Sequence, residues 1–296
     1  ENLIEDAKSV SDMQIPENPF GITTSNLISA IGLDSIQCLG MQIDPSDEKL
    51  VLSTAFFMGK YDGIFSFIQH EDEGQAVQHD FISTQAFTAN SVSYDFAKIW
   101  PTLEKMIAGL SPQLLLLVNS QIQAFEEKAE VAFRRDVLGT LGDEAFSFSL
   151  LPDKIERVED FEKGSDFLGI SLTDSKLFDR SLRSMIDSIA PGNDLFAERL
   201  HKGVTIRKLR GLEESGVSLS YAVTEKWFLL AMGEDNQLNQ VINRMGGKGR
   251  SLWEKKEIQT ALADLPEGSN TIDFVDLEKL VLFLSSVAIM TLDLEE

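Results

Sequence analysis

Histidine titrates nearest neutrality of all side chains, and the chain has three. His70 and His79 share a polar stretch with Glu71, Asp72, Glu73 and Asp80, where a zinc or calcium site can be imagined. The spacing fits no zinc pattern, and no Asp-x-Asp-x-Asp-Gly loop occurs. A solvated acidic loop explains the cluster better. Acyl transfer would call for a nucleophile elbow, yet Gly169-Ile-Ser171-Leu-Thr173 and Gly216-Val-Ser218-Leu-Ser220 both lack its closing glycine. Both serines alternate with apolar neighbours, as strand residues do. Gly246-Gly-Lys-Gly249 follows a helical pattern and lacks the ending of a phosphate loop, so it reads as a turn between helices.

Asp143 and Glu144 could be paired carboxylates for acid–base work. Neighbours along a strand face opposite sides, so they read instead as shaping the turn into the next strand. Arg199, Lys202, Arg207, Lys208 and Arg210 are the one basic concentration. They can meet an anionic ligand or the acidic face of a second copy; an outward strand edge guarded by charge is the plainer account. Cys38 is the sole cysteine, which excludes an intrachain disulfide and a thiolate metal cluster. Its place in an apolar strand pattern predicts a buried, inert thiol. No group combines base, nucleophile and oxyanion donors. The expectation is therefore no catalytic, cofactor-binding or metal-ligating residue, and no cofactor.

The elements that would position these residues are organised around 203–245. Gly203 to Arg210, Val217 to Val223 and Lys226 to Met232 read as three strands of an antiparallel meander. Leu238, Val241, Ile242 and Met245 then mark one face of a helix. Upstream, residues 1–20 are a polar arm. Thr24 or Ser25 can cap a short helix ending at Gly32, and Ser35–Asp44 pairs with Glu48–Met58 across Asp44-Pro-Ser-Asp47. An apolar segment, Ile64–Ile68, precedes the acidic loop.

A strand over Phe81–Tyr94 leads into helices over Asp95–Ala108 and Gln113–Phe133. The second carries Leu115, Val118, Ile122, Phe125, Ala129 and Ala132 at heptad-like spacing. Such a stripe lies along a core or seeds a homotypic coiled coil. Strands at Ala145–Leu150 and Asp166–Leu172 flank a charged linker. A helix capped by Thr173 or Asp174 ends at Pro191-Gly192, and helices at Glu254–Leu265 and Asp276–Met290 surround a strand at Thr271–Val275. Strands and helices mix without strict βαβ alternation, which predicts an α+β fold of antiparallel meander sheets packed against helices. The division expected is an arm (1–20), a first half (21–153), a linker (154–165) and a second half (166–296). Two similar halves and one continuous domain are the alternatives.

The 296 residues carry 48 acids against 26 bases, a net charge of −22. Residues 1–150 hold 22 of the acids and 8 of the bases, so the excess is concentrated there. Such a surface repels phosphate backbones and disfavours nucleic-acid partners, while favouring cationic partners or divalent ions. No membrane span is expected: the most apolar run, Leu277–Met290, is too short and contains Glu278 and Lys279. The chain opens on Glu1, with neither Met nor the apolar core of a leader.

Asp136-Val-Leu-Gly-Thr-Leu-Gly-Asp-Glu144, Tyr221 to Gly233, Ser251 to Leu262 and Asn26 to Gly40 together resemble phrases of a bacterial family, domain of unknown function 3352. The likeness runs over about Leu27 to Leu280 and includes that family's Leu-Gly-Asp-Glu turn. It implies an α+β fold and an exported protein of the periplasm, envelope or exterior, and it implies no reaction. The combined expectation is a non-enzymatic bacterial envelope protein acting by binding or structural association with a protein or envelope partner, or as a homo-oligomer. The alternatives are a glycan hydrolase using two carboxylates, and a subunit of a larger assembly exposing the stripe from Leu115 to Ala132.

Overall fold

The computed structural model describes residues 18–45, 50–67, 75–152, 164–212, 218–233, 237–247, 249–263, 265 and 268–293. Most of the expected arm, the end of the 44–47 turn, His70 with its neighbouring acids, and 153–163 of the charged linker lie outside them. Contacts divide the chain into two units, one of residues 1–71 and 98–128, the other of 72–97 and 129–296.

In the first unit, helix α1 (Thr24–Ala30) is capped by Thr23, a position before the expected cap. Thr23 Oγ1 accepts from the Asn26 N–H at 3.1 Å, and Asn26 Oδ1 accepts from the Thr23 N–H at 3.1 Å. Together these satisfy two donors that the helix start leaves open. Strands β1 (Ile36–Pro45) and β2 (Leu50–Met58) form an antiparallel ribbon with Leu39 opposite Phe56. Cys38 is exposed, not buried as expected, because β1 pairs with β2 alone and the ribbon leaves its side chain open. The apolar segment after Asp62 forms a 3-10 turn, Gly63–Phe67.

Helices α2 (Ile99–Leu110) and α3 (Pro112–Ala129) follow. Helix α3 stops four residues short of Phe133, where Glu130 turns into the left-handed region at φ 53°. Ala132 therefore lies outside the expected stripe. Leu115, Val118, Ile122 and Phe125 are half-buried, while Leu116 and Leu117 of the same helix are 70% and 45% exposed.

The second unit is built on an antiparallel sheet of eight strands in the order β10-β3-β4-β5-β9-β8-β7-β6. They are β3 (Thr88–Ser93), β4 (Leu141–Leu150), β5 (Ser165–Leu172), β6 (Phe196–His201), β7 (Val204–Leu209), β8 (Ser218–Val223), β9 (Trp227–Gly233) and β10 (Thr271–Val275). The fold is α+β with an antiparallel sheet, as the sequence predicts. Strands β4 and β5, on either side of the expected 154–165 linker, pair with each other from Ala145↔Ile170 to Leu150↔Ser165.

Period-two alternation gives the sheet two different faces. Phe146, Phe148, Phe167, Ile206, Ala222, Leu229 and Ala231 lie in one core with Leu238, Val241 and Ile242 of helix α5 (Gln237–Met245) and with Leu252 and Trp253. On the opposite face, helix α4 (Ser175–Ile189) sets Phe178 against Phe228, ring centroids 5.3 Å apart. Asp174 caps α4 by accepting from the Leu177 N–H at 2.9 Å. Helices α6 (Lys256–Leu262) and α7 (Leu277–Asp293) complete the unit.

Strand β3 begins at Thr88 rather than Phe81. Residues 79–86 coil through two tight turns, Ile82 N–H to His79 O and Ala86 N–H to Ser83 O, both 3.0 Å, so Phe81 and Ile82 face inward without a ladder.

Candidate functional site

Antiparallel strands stay together only while their ladder continues. Strand β7 pairs with β6 along its whole length, but with β8 only from Ile206↔Ala222 to Lys208↔Ser220. Beyond Ile206 and Ala222 the ladder stops, and a cleft of about 780 Å³ opens there. That volume is within the range of small-molecule sites.

The alternation of side chains gives this cleft two unlike walls. Toward α5 it is lined by Phe81, Val204, Trp227, Ile242 and Met245, all apolar. Toward α4 it is lined by Ser175, Lys176 and Asp179 of that helix's first turns and by Thr205 and Arg207 of β7. Lys202, in the β6–β7 turn, and Glu225 and Lys226, in the β8–β9 turn, stand at the mouth. Among the described residues, no carboxylate lies within salt-bridge distance of Lys176, Lys202 or Lys226. Three cations without such a partner at one cleft stand out in a chain with 48 acids and 26 bases.

The apolar wall is held by an internal clamp. Arg244 of α5 donates from Nε to Phe81 O at 2.7 Å and from Nη2 to Ile82 O at 3.2 Å, and also binds Arg250 O. Behind Phe81 and Trp227 sits His79, 5% exposed. Its ring centroid is 5.2 Å from Phe81, 5.4 Å from Phe146 and 5.1 Å from Trp227. Burial among these rings pushes the imidazole pKa down to about 4, against a smaller upward pull from Asp80. His79 is therefore neutral near pH 7. Its Nε2 has no hydrogen-bond partner and is 3.9 Å from Glu144 Oε2, beyond hydrogen-bond reach. Burial raises the Glu144 carboxyl, Asp143 adds to the rise, and Lys226 opposes it.

The sequence candidates are distributed as follows. Asp143 and Glu144 lie within a register irregularity of β4 between Leu141 and Ala145, not in a turn before a strand. The Glu144 N–H donates to Ser171 Oγ at 2.9 Å, which occupies Ser171 structurally. Ser218 lies on β8, as the strand reading predicts. Gly246 ends the apolar wall after α5, and Gly247 turns at φ 80°.

The five basic residues do not act together, and the outward-edge reading fails for Arg207. Strand β7 lies between β6 and β8, and Arg207 is 7% exposed. It donates to Glu198 at 2.7 Å and to Asp179 at 2.8 Å, with its guanidinium 5.5 Å from the Tyr221 ring centre. Arg199 bonds to Asn239, Arg210 pairs with Asp194 at 2.7 Å, and Lys202 reaches the cleft. No sequence motif marks Trp227, Phe81, Lys176 and Lys226 as a group, because Phe81 and Lys226 lie in separate turns, Trp227 starts β9 and Lys176 is in the first turn of α4. Among the described residues no three His, Cys, Asp or Glu side chains are grouped as a metal site would require, and no helix is long and apolar enough to cross a membrane. Compared with known proteins, the chain matches no family model, no curated protein and no solved structure.

Proposed function

We propose that the protein works by binding rather than by catalysis, and that its ligand lies in the cleft where β7 and β8 part. The observation that carries this reading is the pairing of an apolar wall with a cationic mouth in one open cavity of about 780 Å³. A few placed polar groups around an apolar lining are the usual make-up of a ligand site. The glycan-hydrolase alternative needs two available carboxylates facing one another. Of the acids lining the cleft, Asp179 is already held by Arg207 at 2.8 Å and Arg183 at 2.9 Å, which leaves Glu225. The envelope location implied by the family resemblance belongs to the same proposal.

The test is a crystallographic fragment screen combined with assays on chromogenic glycosides. Fragment density clustered between Val204, Trp227 and Ile242, with no turnover, is the expected result. An empty cleft contradicts the reading, and so does glycoside turnover lost in Glu225→Gln.

One observation favours a second mode, association with another copy. Leu277, Val281 and Leu284 on α7 are 68%, 61% and 55% exposed, more than a helix in water ordinarily shows as one stretch. Light scattering at low and high salt tests it: a dimer indifferent to salt supports apolar pairing, and a monomer in both rules it out.

A further inference from the structure

Building on the cleft-binding reading, we infer that the ligand is a monomeric anionic amphiphile: one phosphate, carboxylate or sulfate head on a flexible apolar chain. Side chains one residue apart on β7, Val204 and Thr205, face opposite sides of the sheet. A ligand at the parted strand ends therefore meets mainly apolar surface on one side, where the Lys202 ammonium lies beside Gly246, and on the other Ser175, Lys176 and Thr205 together with Val223.

Lys176 and Ser175 open helix α4, whose first turn also favours negative charge. Lys202 and Lys226 line the same cleft from two different turns, so three lysines reach it from separate elements. A compact anion such as inorganic phosphate would use that mouth and leave Trp227, Ile242 and Met245 uncovered. A neutral lipid would cover the apolar wall and leave the lysines unmatched. An anionic head with an apolar chain satisfies both.

The mouth also carries Glu225, and Asp179 lies on the polar wall. Asp179 is neutralised by Arg207 and Arg183. Glu225 opposes a second negative charge, which favours a singly headed ligand over a polyanion. The strongly negative chain, at −22, argues in the same direction: an anionic membrane surface is repelled over the whole molecule, whereas a single monomer meets the local cations. The ligand is therefore the monomer in solution.

Isothermal titration of the full chain with inorganic phosphate, and with decyl phosphate and decyl maltoside below their micellar concentrations, tests it. Flotation with phosphatidylcholine vesicles, with and without phosphatidylglycerol, completes the set. Decyl phosphate should bind one to one, and each methylene removed from the chain should weaken it by up to about fourfold. Lys176→Ala/Lys202→Ala/Lys226→Ala together should weaken it by about tenfold, with unchanged thermal unfolding showing that these exposed positions leave the fold intact.

Decyl maltoside binding as tightly as decyl phosphate overturns the anionic head while leaving the cleft reading standing. Inorganic phosphate binding equally well overturns the apolar chain. Flotation with phosphatidylglycerol vesicles without uptake of the monomer moves the ligand to a membrane surface and overturns the inference. Undiminished affinity of the triple variant for decyl phosphate also overturns it. If neither amphiphile saturates a site, the cleft reading fails with it.

Discussion

His79 shows how one residue can be half legible in a sequence. Its type announces a titrating group, and its acidic neighbours suggest water. The structure instead places the ring between Phe81, Phe146 and Trp227, three residues brought together from distant parts of the chain. Below its ordinary pKa of 6.5 the unfolded chain takes up a proton that the folded ring refuses until about pH 4. Stability should thus fall as pH drops through that window and level off beneath it. At about pH 5 the loss attributable to His79 comes to about 2 kcal/mol. His79→Phe keeps the aromatic packing without the proton; urea unfolding at about pH 7.5 and pH 5 should show that much less acid sensitivity in the variant. Equal sensitivity in both proteins would contradict the burial.

Arg207 is the second residue-scale case. As a member of a basic strip it reads as a surface charge, and only its central strand and the roof of α4 make it a buried pair. Arg207→Ala removes the cation between Asp179, which keeps Arg183, and the exposed Glu198, and should cost about 2 kcal/mol. Arg207→Met should cost clearly less, as measured by chemical denaturation.

At the scale of elements, the meander and its helix are readable because period two and period 3.6 are local signals. Strand β6, Phe196-Ala-Glu-Arg-Leu-His201, escapes them: it is an edge strand with charged and half-buried residues, and its pairing partner supplies the order. The limits of β3 escape for another reason. Phe81 and Ile82 look like strand residues, but they are held by the side chain of Arg244, more than 160 residues away. Arg244→Ala removes three bonds to main-chain carbonyls and should lower stability by about 2 kcal/mol. It should also loosen Phe81, read as faster amide exchange at 81–82.

Close packing of β4 on β5 gives a sharper test. A Cβ at Gly169 would come 2.1 Å from a ring carbon of Phe146, which is 1% exposed. Gly169→Ala should cost about 2–3 kcal/mol. Adding Phe146→Leu should recover part of that loss, so the two changes are non-additive; strictly additive values would contradict the contact.

For the whole molecule, composition and mixed patterning suffice for the α+β class but not for the way the chain is partitioned. The sequence offers a charged linker at 154–165, while β4 and β5 close the sheet across it, since strand order depends on pairings that no local pattern encodes. The cleft is equally invisible, because it exists where a ladder stops. Net charge acts at this scale as well. With −22 on 296 residues, self-repulsion opposes the compact state and salt should relieve it. The thermal midpoint should rise by a few degrees between about 10 mM and about 200 mM sodium chloride; a midpoint that falls would mean that local ion pairs outweigh the global field.

On the proposed reading, ligand recognition resides in the cleft rather than on exposed apolar surface. Methyl NMR during titration with decyl phosphate compares the two directly, since Val204, Ile242 and Met245 line the cleft while Val281 and Leu284 are exposed on α7. Saturable shifts at the first three, with the last two unmoved, are the predicted result. Shifts confined to Val281 and Leu284 would contradict it.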